Sequence, residues 1–131
     1  MILDTEFLIS LRDEEDAALE LAADIEAAGV PTRVPTIVIE VLYVGVGAGA
    51  TPATNTRASD ALVVNKPIVP LDARVARRTG TLEGEHLASD SKPDLGPADA
   101  IVAASGLVHE EAVLTNDEDF EAVDGLSVAS Y

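Results

Sequence analysis

The sequence contains no cysteine, only two lysines and two histidines, and few aromatic side chains. Without cysteine the chain can form neither disulfides nor thiolate metal sites, and it has no cysteine nucleophile. His86 and His109 are the only histidines, so a histidine-rich zinc site or a Ser-His-Asp triad is not favoured. No apolar run reaches the length of about 18 residues that suggests a membrane span. Met1 leads into an apolar stretch without the basic segment of a signal peptide. We therefore expect a soluble, cytoplasmic protein with no membrane contact.

The residues that are present predict one domain with an aliphatic core. Hydrophobic residues make up 47% of the chain and aromatic residues only 3%, so the core must consist mainly of Val, Leu, Ile and Ala. A length of 131 residues lies near the usual size of one domain. Since neither an internal repeat nor a linker is visible, we predict a single domain over residues 1–131.

The charge of the chain is strongly negative. It has 24 acidic and 8 basic residues, a formal net charge of −16, with the acids spread along its length. One interpretation is adaptation to molar salt, where the Debye length falls to about 3 Å and self-repulsion is screened. Acidic, lysine-poor surfaces of this kind are similar to those of halophilic archaeal proteins. The alternative is an ordinary acidic protein with a basic partner. The negative net charge argues against a nucleic-acid partner. At molar salt the repulsion between protein and nucleic acid is largely screened, so this argument loses most of its force.

Apolar patterning predicts strands that alternate with helices. The predicted strands lie at 1–4, near Val34, and at 67–70, 112–115 and 126–129. The predicted helices lie at 13–28, from 35 through 44, at 56–64 and 72–82, and from 97 through 107. The glycine-rich stretch 45–52 and residues 83–96 are predicted to be loops. This alternation indicates an α/β fold with a mainly parallel sheet covered on both faces.

Acidic residues recur beside strongly apolar stretches at four separate places. Asp4 ends the first predicted strand, Glu40 lies among Ile and Val, Asp99 lies in the first turn of a helix, and Asp117 and Asp119 follow a late strand. An isolated buried carboxylate is costly, whereas several together are tolerable around a divalent cation. Ligands of parallel sheets bind beyond the carboxyl ends of strands, where Asp4 and Asp117 would lie. The pattern predicts a site for a hard cation.

Each acid taken alone has a purely structural alternative. Asp4 could cap the next helix, and Asp99 could interact with the helix dipole. The stretch 116–119 could be an ordinary acidic turn. A calcium loop is rejected because Glu121 stands where such a loop requires glycine. Glu40 resists a structural explanation best, and the four sites together favour the metal site.

At these residues the chain resembles a PIN domain, the metal-dependent nuclease fold of VapC-type toxins from toxin–antitoxin pairs. The resemblance rests on Leu3-Asp4-Thr5, Ile39-Glu40, the stretch 97–104 and the stretch 114–120, in that order, and covers essentially the whole chain. It implies a PIN-like three-layer α/β/α fold with a small, mainly parallel central sheet. Glu6 departs from the family pattern, in which small polar residues are common at that position.

The resemblance implies an endoribonuclease that depends on Mg²⁺ or Mn²⁺. Asp4, Asp99 and Asp117 are expected to bind the metal and, with Glu40, to form the catalytic set. Glu40 would orient the attacking water and help to deprotonate it. The expected supporting residues are Thr115, Asn116 and Asp119. Without metal, the converging carboxylates should raise one another's pKa.

The resemblance also implies partners: an RNA substrate, a cognate antitoxin protein and a second copy of the chain in a homodimer. The apolar helix around Glu40 and the segment 43–47 are candidates for such contacts. Two alternatives stay open, a housekeeping PIN nuclease in RNA maturation and a non-catalytic PIN-like protein-binding module. A receiver domain is rejected because neither Lys66 nor Lys92 lies at a suitable strand end.

Two further groups of residues carry expectations that the structure can test. Arg74, Arg77 and Arg78 could guide an RNA backbone, although pairing with nearby acids on an exposed helix face is the favoured interpretation. His86 and His109 are predicted to lie at the surface without a role.

Overall fold

The computed structural model describes the backbone of residues 1–131 and every side chain except that of Pro52. Along this described backbone, short strands alternate with helices. The strands are β1 (Ile2–Leu3), β2 (Val34–Pro35), β3 (Ile68–Val69), β4 (Val113–Leu114) and β5 (Val128–Ala129). The helices are α1 (Thr5–Arg12), α2 (Asp16–Ala27), α3 (Thr36–Ala48), α4 (Pro52–Val63), α5 (Ala73–Ala88) and α6 (Pro97–His109), and a 3₁₀ helix spans Glu118–Ala122. Each helix within these described residues is too short or too polar to cross a membrane.

The sheet is parallel and has β1 at its centre. β1 pairs with β4, β4 with β5, and β2 with β3, all in parallel. Arg33 joins the two groups, because its carbonyl accepts from the Leu3 amide at 3.0 Å and its own amide donates to the Met1 carbonyl at 2.9 Å. The resulting order is β3-β2-β1-β4-β5. The residue after β1, Asp4, therefore lies at the middle of the carboxyl edge.

The core confirms the expected aliphatic composition. The strand residues Ile2, Leu3, Val34, Val113 and Leu114 are fully buried or nearly so. Phe7 from α1 and Phe120 from the 3₁₀ helix add the largest buried side chains of the core. A parallel sheet is apolar on both faces because helices cover each of them. The predicted α/β class, with a small parallel sheet covered by helices on both faces, is thus confirmed.

Helix α6 lies deep in the protein and fixes the position of Asp99. Most residues from Ala100 to Gly106 are buried, and their small side chains let the helix pack against α5, α3 and the sheet. Gly106 shows how close this packing is, since a Cβ there would lie 2.8 Å from both Leu126 and Val113 side-chain atoms. A helix held on several sides presents its first turn to the site in one orientation.

Helix α1 was not predicted, although a capping residue precedes it. Asp4 ends β1 and accepts a hydrogen bond from the Thr5 amide at 2.7 Å, so one residue closes the strand and opens the helix. The change from strand to helix occurs without an intervening loop. The single predicted helix over 13–28 is in fact α2, which begins at Asp16 and is followed by Gly29 in the left-handed region at φ +67.

Both predicted loops were partly wrong for the same reason. α3 continues through Gly45 and Gly47 to Ala48, because Val46 is still buried on the core face while the glycines face outward. α5 continues past Leu82 to Ala88, and His86 extends its buried stripe. Tertiary burial of one helical face outweighs the helix cost of an exposed glycine, which is about 1 kcal/mol.

The predicted surface position of the histidines is also wrong for His86. Its side chain is only 1% exposed, and its Nδ1 lies 2.9 Å from the Pro93 carbonyl oxygen. His109 is half-buried at the end of α6. The contact of His86 with Pro93 ties the end of α5 to the segment that leads into α6.

Candidate metal centre

Three of the predicted carboxylates meet in one place. Asp4, Asp99 and Asp117 line an open cavity of about 280 Å³ beyond the ends of β1 and β4. Asp4 arrives from the end of β1, Asp99 from the first turn of α6, and Asp117 from the loop after β4. The rest of the wall is formed by Thr5, Glu6, Ile9, Val41 and Ala98. Residues separated by more than a hundred positions thus share one cavity at the carboxyl edge of the sheet.

Asp4 is the most deeply placed of these acids. Its side chain is 6% exposed, and its two oxygens have different partners. Oδ1 accepts from the Thr5 amide at 2.7 Å, and Oδ2 accepts from the Thr115 hydroxyl at 2.8 Å. Burial raises the pKa of Asp4, these two hydrogen bonds oppose the rise, and the charge of Asp117 adds to it. The carboxylate is therefore held in a fixed orientation.

Asp99 shows most clearly that negative charge accumulates here. Burial, together with the charges of Asp4, Asp117 and Asp119 in that order of size, raises the pKa of Asp99 to about 6. The cavity wall that the structure describes contains no lysine, arginine or histidine. None of the ion pairs among the described side chains involves these four acids. A nearby cation is the physical change that would bring such a pKa down.

The supporting residues form a network around the loop after β4. The Thr115 hydroxyl, which donates to Asp4, also accepts from the Asp117 amide at 3.1 Å. Asp117 Oδ1 accepts from the Asp119 amide at 2.9 Å, and Asn116 Oδ1 accepts from the Tyr131 amide at 2.9 Å. Thr115, itself 1% exposed, therefore couples the positions of two carboxylates. Asp119 adds negative charge and shapes the loop.

The donor set has the chemistry of a hard-cation site. All the polar groups in question are carboxylate or hydroxyl oxygens, which Mg²⁺ and Mn²⁺ prefer over nitrogen and sulfur. No three His, Cys, Asp or Glu residues among the described side chains lie close enough together to form a compact metal cage. Mg²⁺ retains several waters and often uses only one or two carboxylates directly. The residues present therefore fit a hydrated hard cation.

Glu40 does not lie where the sequence predicted. It is exposed on α3, and it is Val41, the next residue, that lines the cavity. Val38 and Leu42, two positions to either side, are buried. Two residues correspond to about 200° around a helix, so Glu40 faces away from the core. The expectation of a buried Glu40 among apolar neighbours was wrong, and its catalytic role stays a prediction.

Sequence reasoning missed the contact of Tyr131 near the site, and it quoted Thr5 in a motif without assigning it a role. The Tyr131 ring packs edge-on against Phe7 with centroids 5.1 Å apart, and its hydroxyl lies 3.3 Å from Ser10 Oγ. Burial raises the pKa of Tyr131, as do the nearby charges of Glu6 and other acids, including Asp4, whereas the Ser10 hydrogen bond lowers it. Position along the chain gives no signal for this contact. Thr5 could have been found from its place beside Asp4.

The comparisons with known proteins identify the fold and the family. The family model "PIN domain" matches residues 1–126. Among solved structures, the VapBC2 complex of Rickettsia felis bound to a promoter DNA fragment matches with a TM-score of 0.86 at 17% identity, covering 98% of this chain and 96% of that one. The DNA-bound VapBC complex of Salmonella typhimurium gives 0.84 at 20% identity, with coverage of 98% and 96%.

A third solved structure is more similar in sequence. It is VapBC-5 of Mycobacterium tuberculosis, from the VapBC family of toxin–antitoxin systems, with 27% identity, a TM-score of 0.69 and coverage of 98% and 94%. A comparison with curated protein sequences finds no match. The family model spans nearly the whole chain and includes every acid of the site. The chain therefore belongs to the PIN domain family.

Proposed function

We propose that this protein is a metal-dependent endoribonuclease that acts as a VapC-type toxin. The observation that carries the proposal is the meeting of Asp4, Asp99 and Asp117 around one cavity with no basic side chain in its described wall. Burial, and after it the charges of three neighbouring acids, raises the pKa of Asp99 to about 6, so its ionised form lacks a compensating partner there. Membership of the PIN family supports nuclease chemistry. A purely structural cluster of acids would be expected to pair with cations or to lie in solvent.

In the proposed mechanism Asp4, Asp99 and Asp117 would hold Mg²⁺ or Mn²⁺ at the cavity that they line. A bound divalent cation lowers the pKa of water and stabilises the charge that develops on a phosphate. Asp4 is fixed by Thr5 and Thr115 and keeps its orientation when the substrate arrives. Asp99 and Asp117 reach the same cavity from two other elements, the first turn of α6 and the loop after β4. Asp119 orients Asp117 through its amide.

The proposed partners are a cognate antitoxin and a second copy of the chain. Solved structures to which the chain is similar include a toxin–antitoxin complex from Klebsiella pneumoniae and a member of the VapBC family of toxin–antitoxin systems from Mycobacterium tuberculosis. On α3, Val44 is 60% exposed, and the exposed glycines Gly45 and Gly47 lie one and three residues after it. An exposed apolar residue beside glycines allows close approach of another chain.

The gene context distinguishes the toxin from the alternative of a housekeeping nuclease. A short antitoxin reading frame directly upstream of this one would favour the toxin.

Salt adaptation remains a proposal that the described ion pairs support. The side-chain pairs are Arg12 with Asp13, Arg33 with Glu111, and Lys92 with Asp124, so few of the 24 acids are neutralised within the chain. The remaining acids repel one another, and molar salt screens that repulsion. We infer that the protein works at high ionic strength, as proteins of halophilic archaea do.

The experiment that tests the function is cleavage of a structured RNA pool at molar KCl. Wild type, Asp4→Asn and Asp94→Asn would be compared with Mn²⁺ or Mg²⁺ and with a chelator. Asp94 is an exposed acid outside the cavity and serves as the matched control. We expect cleavage by wild type and Asp94→Asn only with metal, and a loss of about a hundredfold or more in Asp4→Asn. Cleavage that survives the chelator, or that is equal in folded Asp4→Asn, would contradict the proposal.

A further inference from the structure

We propose that Arg74, Arg77 and Arg78 form a phosphate-binding site, remote from the carboxylates, that holds the backbone of the RNA substrate. This inference rests on the proposed function and names a second contact for the same substrate. The three arginines lie at spacings of three and four residues along α5, so they share one face of the helix. They line a cavity of about 560 Å³ with Leu107, Val108 and Glu110 from the end of α6. We call this cavity the arginine pocket.

The arginines of this pocket have no acidic partners in the described structure. The ion pairs among the described side chains use Arg12, Arg33 and Lys92, and none uses Arg74, Arg77 or Arg78. Glu110 lines the same pocket without forming an ion pair with any of them. The pairing with nearby acids that the sequence favoured is therefore wrong, although Arg74 and Arg77 do lie on an exposed face of α5.

Three unpaired positive charges are unusual on this particular chain. It carries only 8 basic residues against 24 acidic ones, and three of the eight converge on one cavity. Like charges at helical spacings of three and four repel one another and destabilise a helix. An anion in the pocket would offset that repulsion. The local concentration of positive charge therefore points to an anionic ligand.

Phosphate is the anion that suits this arrangement. The guanidinium group presents a planar fork that binds phosphate through two parallel hydrogen bonds. Successive turns of α5 are spaced by about 5.4 Å, so the three side chains can contact an extended chain of phosphates better than one small ion. Contacts of this type position a nucleic acid without reading its sequence.

The pocket lies at the opposite end of α6 from the carboxylates. Asp99 is in the first turn of that helix, whereas Leu107 and Val108 are in its last turn. At about 1.5 Å per residue the two ends are separated by roughly 13 Å along the axis. A stacked strand rises about 3.4 Å per nucleotide, so a stacked RNA strand would span this separation in about four nucleotides.

The test is binding of a fluorescein-labelled oligouridylate of about 16 nucleotides. Binding is monitored by fluorescence anisotropy in EDTA over a series of KCl concentrations. Arg77→Gln would be compared with Arg57→Gln, which removes the same charge from an exposed position on α4 outside the pocket. Circular dichroism defines the salt range in which every variant is folded. Because EDTA prevents metal-dependent cleavage, the readout does not depend on activity.

We expect Arg77→Gln to weaken binding about tenfold, the effect of losing one charge-assisted hydrogen-bonded contact. The slope of log affinity against log salt should fall by about 0.7, the value for one phosphate contact on a single strand. Arg57→Gln should stay within about twofold of wild type and keep its slope. Equal losses in the two variants, or none in either, would overturn the proposal, as would displacement of the RNA by polyglutamate but not by unlabelled oligouridylate.

Failure of this inference is distinguishable from failure of the proposed function. If RNA is cleaved with metal but its binding does not depend on Arg77, the proposed nuclease function stands and the arginine pocket is rejected. If binding depends on Arg77 but no metal supports cleavage, the arginine pocket stands and the proposed nuclease function is rejected.

Discussion

At the scale of single residues, the site is held by hydrogen bonds that leave little freedom to its acids. Thr115 donates to Asp4 and accepts from the Asp117 amide, so one hydroxyl connects the ends of two strands. Its side chain is buried, so water cannot readily replace the hydrogen bonds of its hydroxyl. The geometry of the carboxylates therefore depends on a residue that bears no charge.

Thr115→Val removes this hydroxyl while keeping the shape of the side chain. Asp4 Oδ2 loses its donor in a buried position, and leaving a buried polar group unsatisfied costs about 1–3 kcal/mol. We expect the free energy of unfolding to fall by that amount in urea titrations. Thr81→Val, at an exposed position on α5, is the matched control and should change it by less than about 0.5 kcal/mol. Equal effects in both variants would contradict the role of Thr115.

Asp99 gives the metal-free protein a characteristic pH dependence. The pKa of Asp99 is about 6 in the folded state against 3.8 in the unfolded chain, so the folded state binds more protons between these values. This acid therefore destabilises the fold above about pH 6, and that penalty is removed as the pH falls towards 4. In EDTA we expect Asp99→Asn to melt about 3 °C above wild type at pH 7.5, with the difference vanishing near pH 4. An Asp94→Asn variant should show no such trend, and a lower melting temperature for Asp99→Asn at pH 7.5 would contradict the account.

At the scale of the elements, the position of α6 decides whether Asp99 reaches the cavity. Gly106 packs against Leu126 and Val113 at distances that exclude a Cβ. Gly84 is equally helical but lies on the exposed side of α5 with nothing within 4 Å of the position a Cβ would take. The two glycines thus have opposite reasons for their presence.

Gly106→Ala and Gly84→Ala should change stability in opposite directions. Overpacking at Gly106 costs about 1–3 kcal/mol, whereas replacing an exposed helical glycine with alanine gains about 0.5–1 kcal/mol. Chemical denaturation of the two variants beside wild type measures both values. A stabilising Gly106→Ala would contradict the close packing of α6 against the sheet.

The elements also show what the sequence could predict and why the rest was hidden. Asp4, Asp99 and Asp117 were found because each has a local signal, a strand end or a helical first turn, that topology then brings together. Glu40 was misplaced because its apolar neighbours are next to it in sequence but lie on other faces of α3. The length of α5 was underestimated because burial of His86, a tertiary effect, extends it past Gly84.

At the scale of the whole molecule, the net charge of −16 sets the conditions under which the fold is most stable. Mutual repulsion among unpaired surface acids favours the expanded chain, and salt screens it. We expect the melting temperature of wild type to rise steadily from about 0.1 M to about 2 M KCl, where the Debye length has fallen from about 10 Å to below 3 Å. KCl rather than a strongly excluded salt such as sulfate is required, because sulfate stabilises most proteins. A flat or falling profile in KCl would contradict salt adaptation.

The measurement that tests the central claim most directly is the affinity for Mn²⁺. It is determined by titration calorimetry at constant salt for wild type and three variants. Asp99→Asn removes a carboxylate of the cavity, Asp94→Asn removes an exposed one, and Glu40→Gln removes the acid that lies outside the cavity wall. We predict that Asp99→Asn weakens Mn²⁺ affinity about tenfold or more, while the other two stay within about twofold of wild type. Equal affinity in wild type and Asp99→Asn would contradict the assignment of Asp4, Asp99 and Asp117 as one cation site.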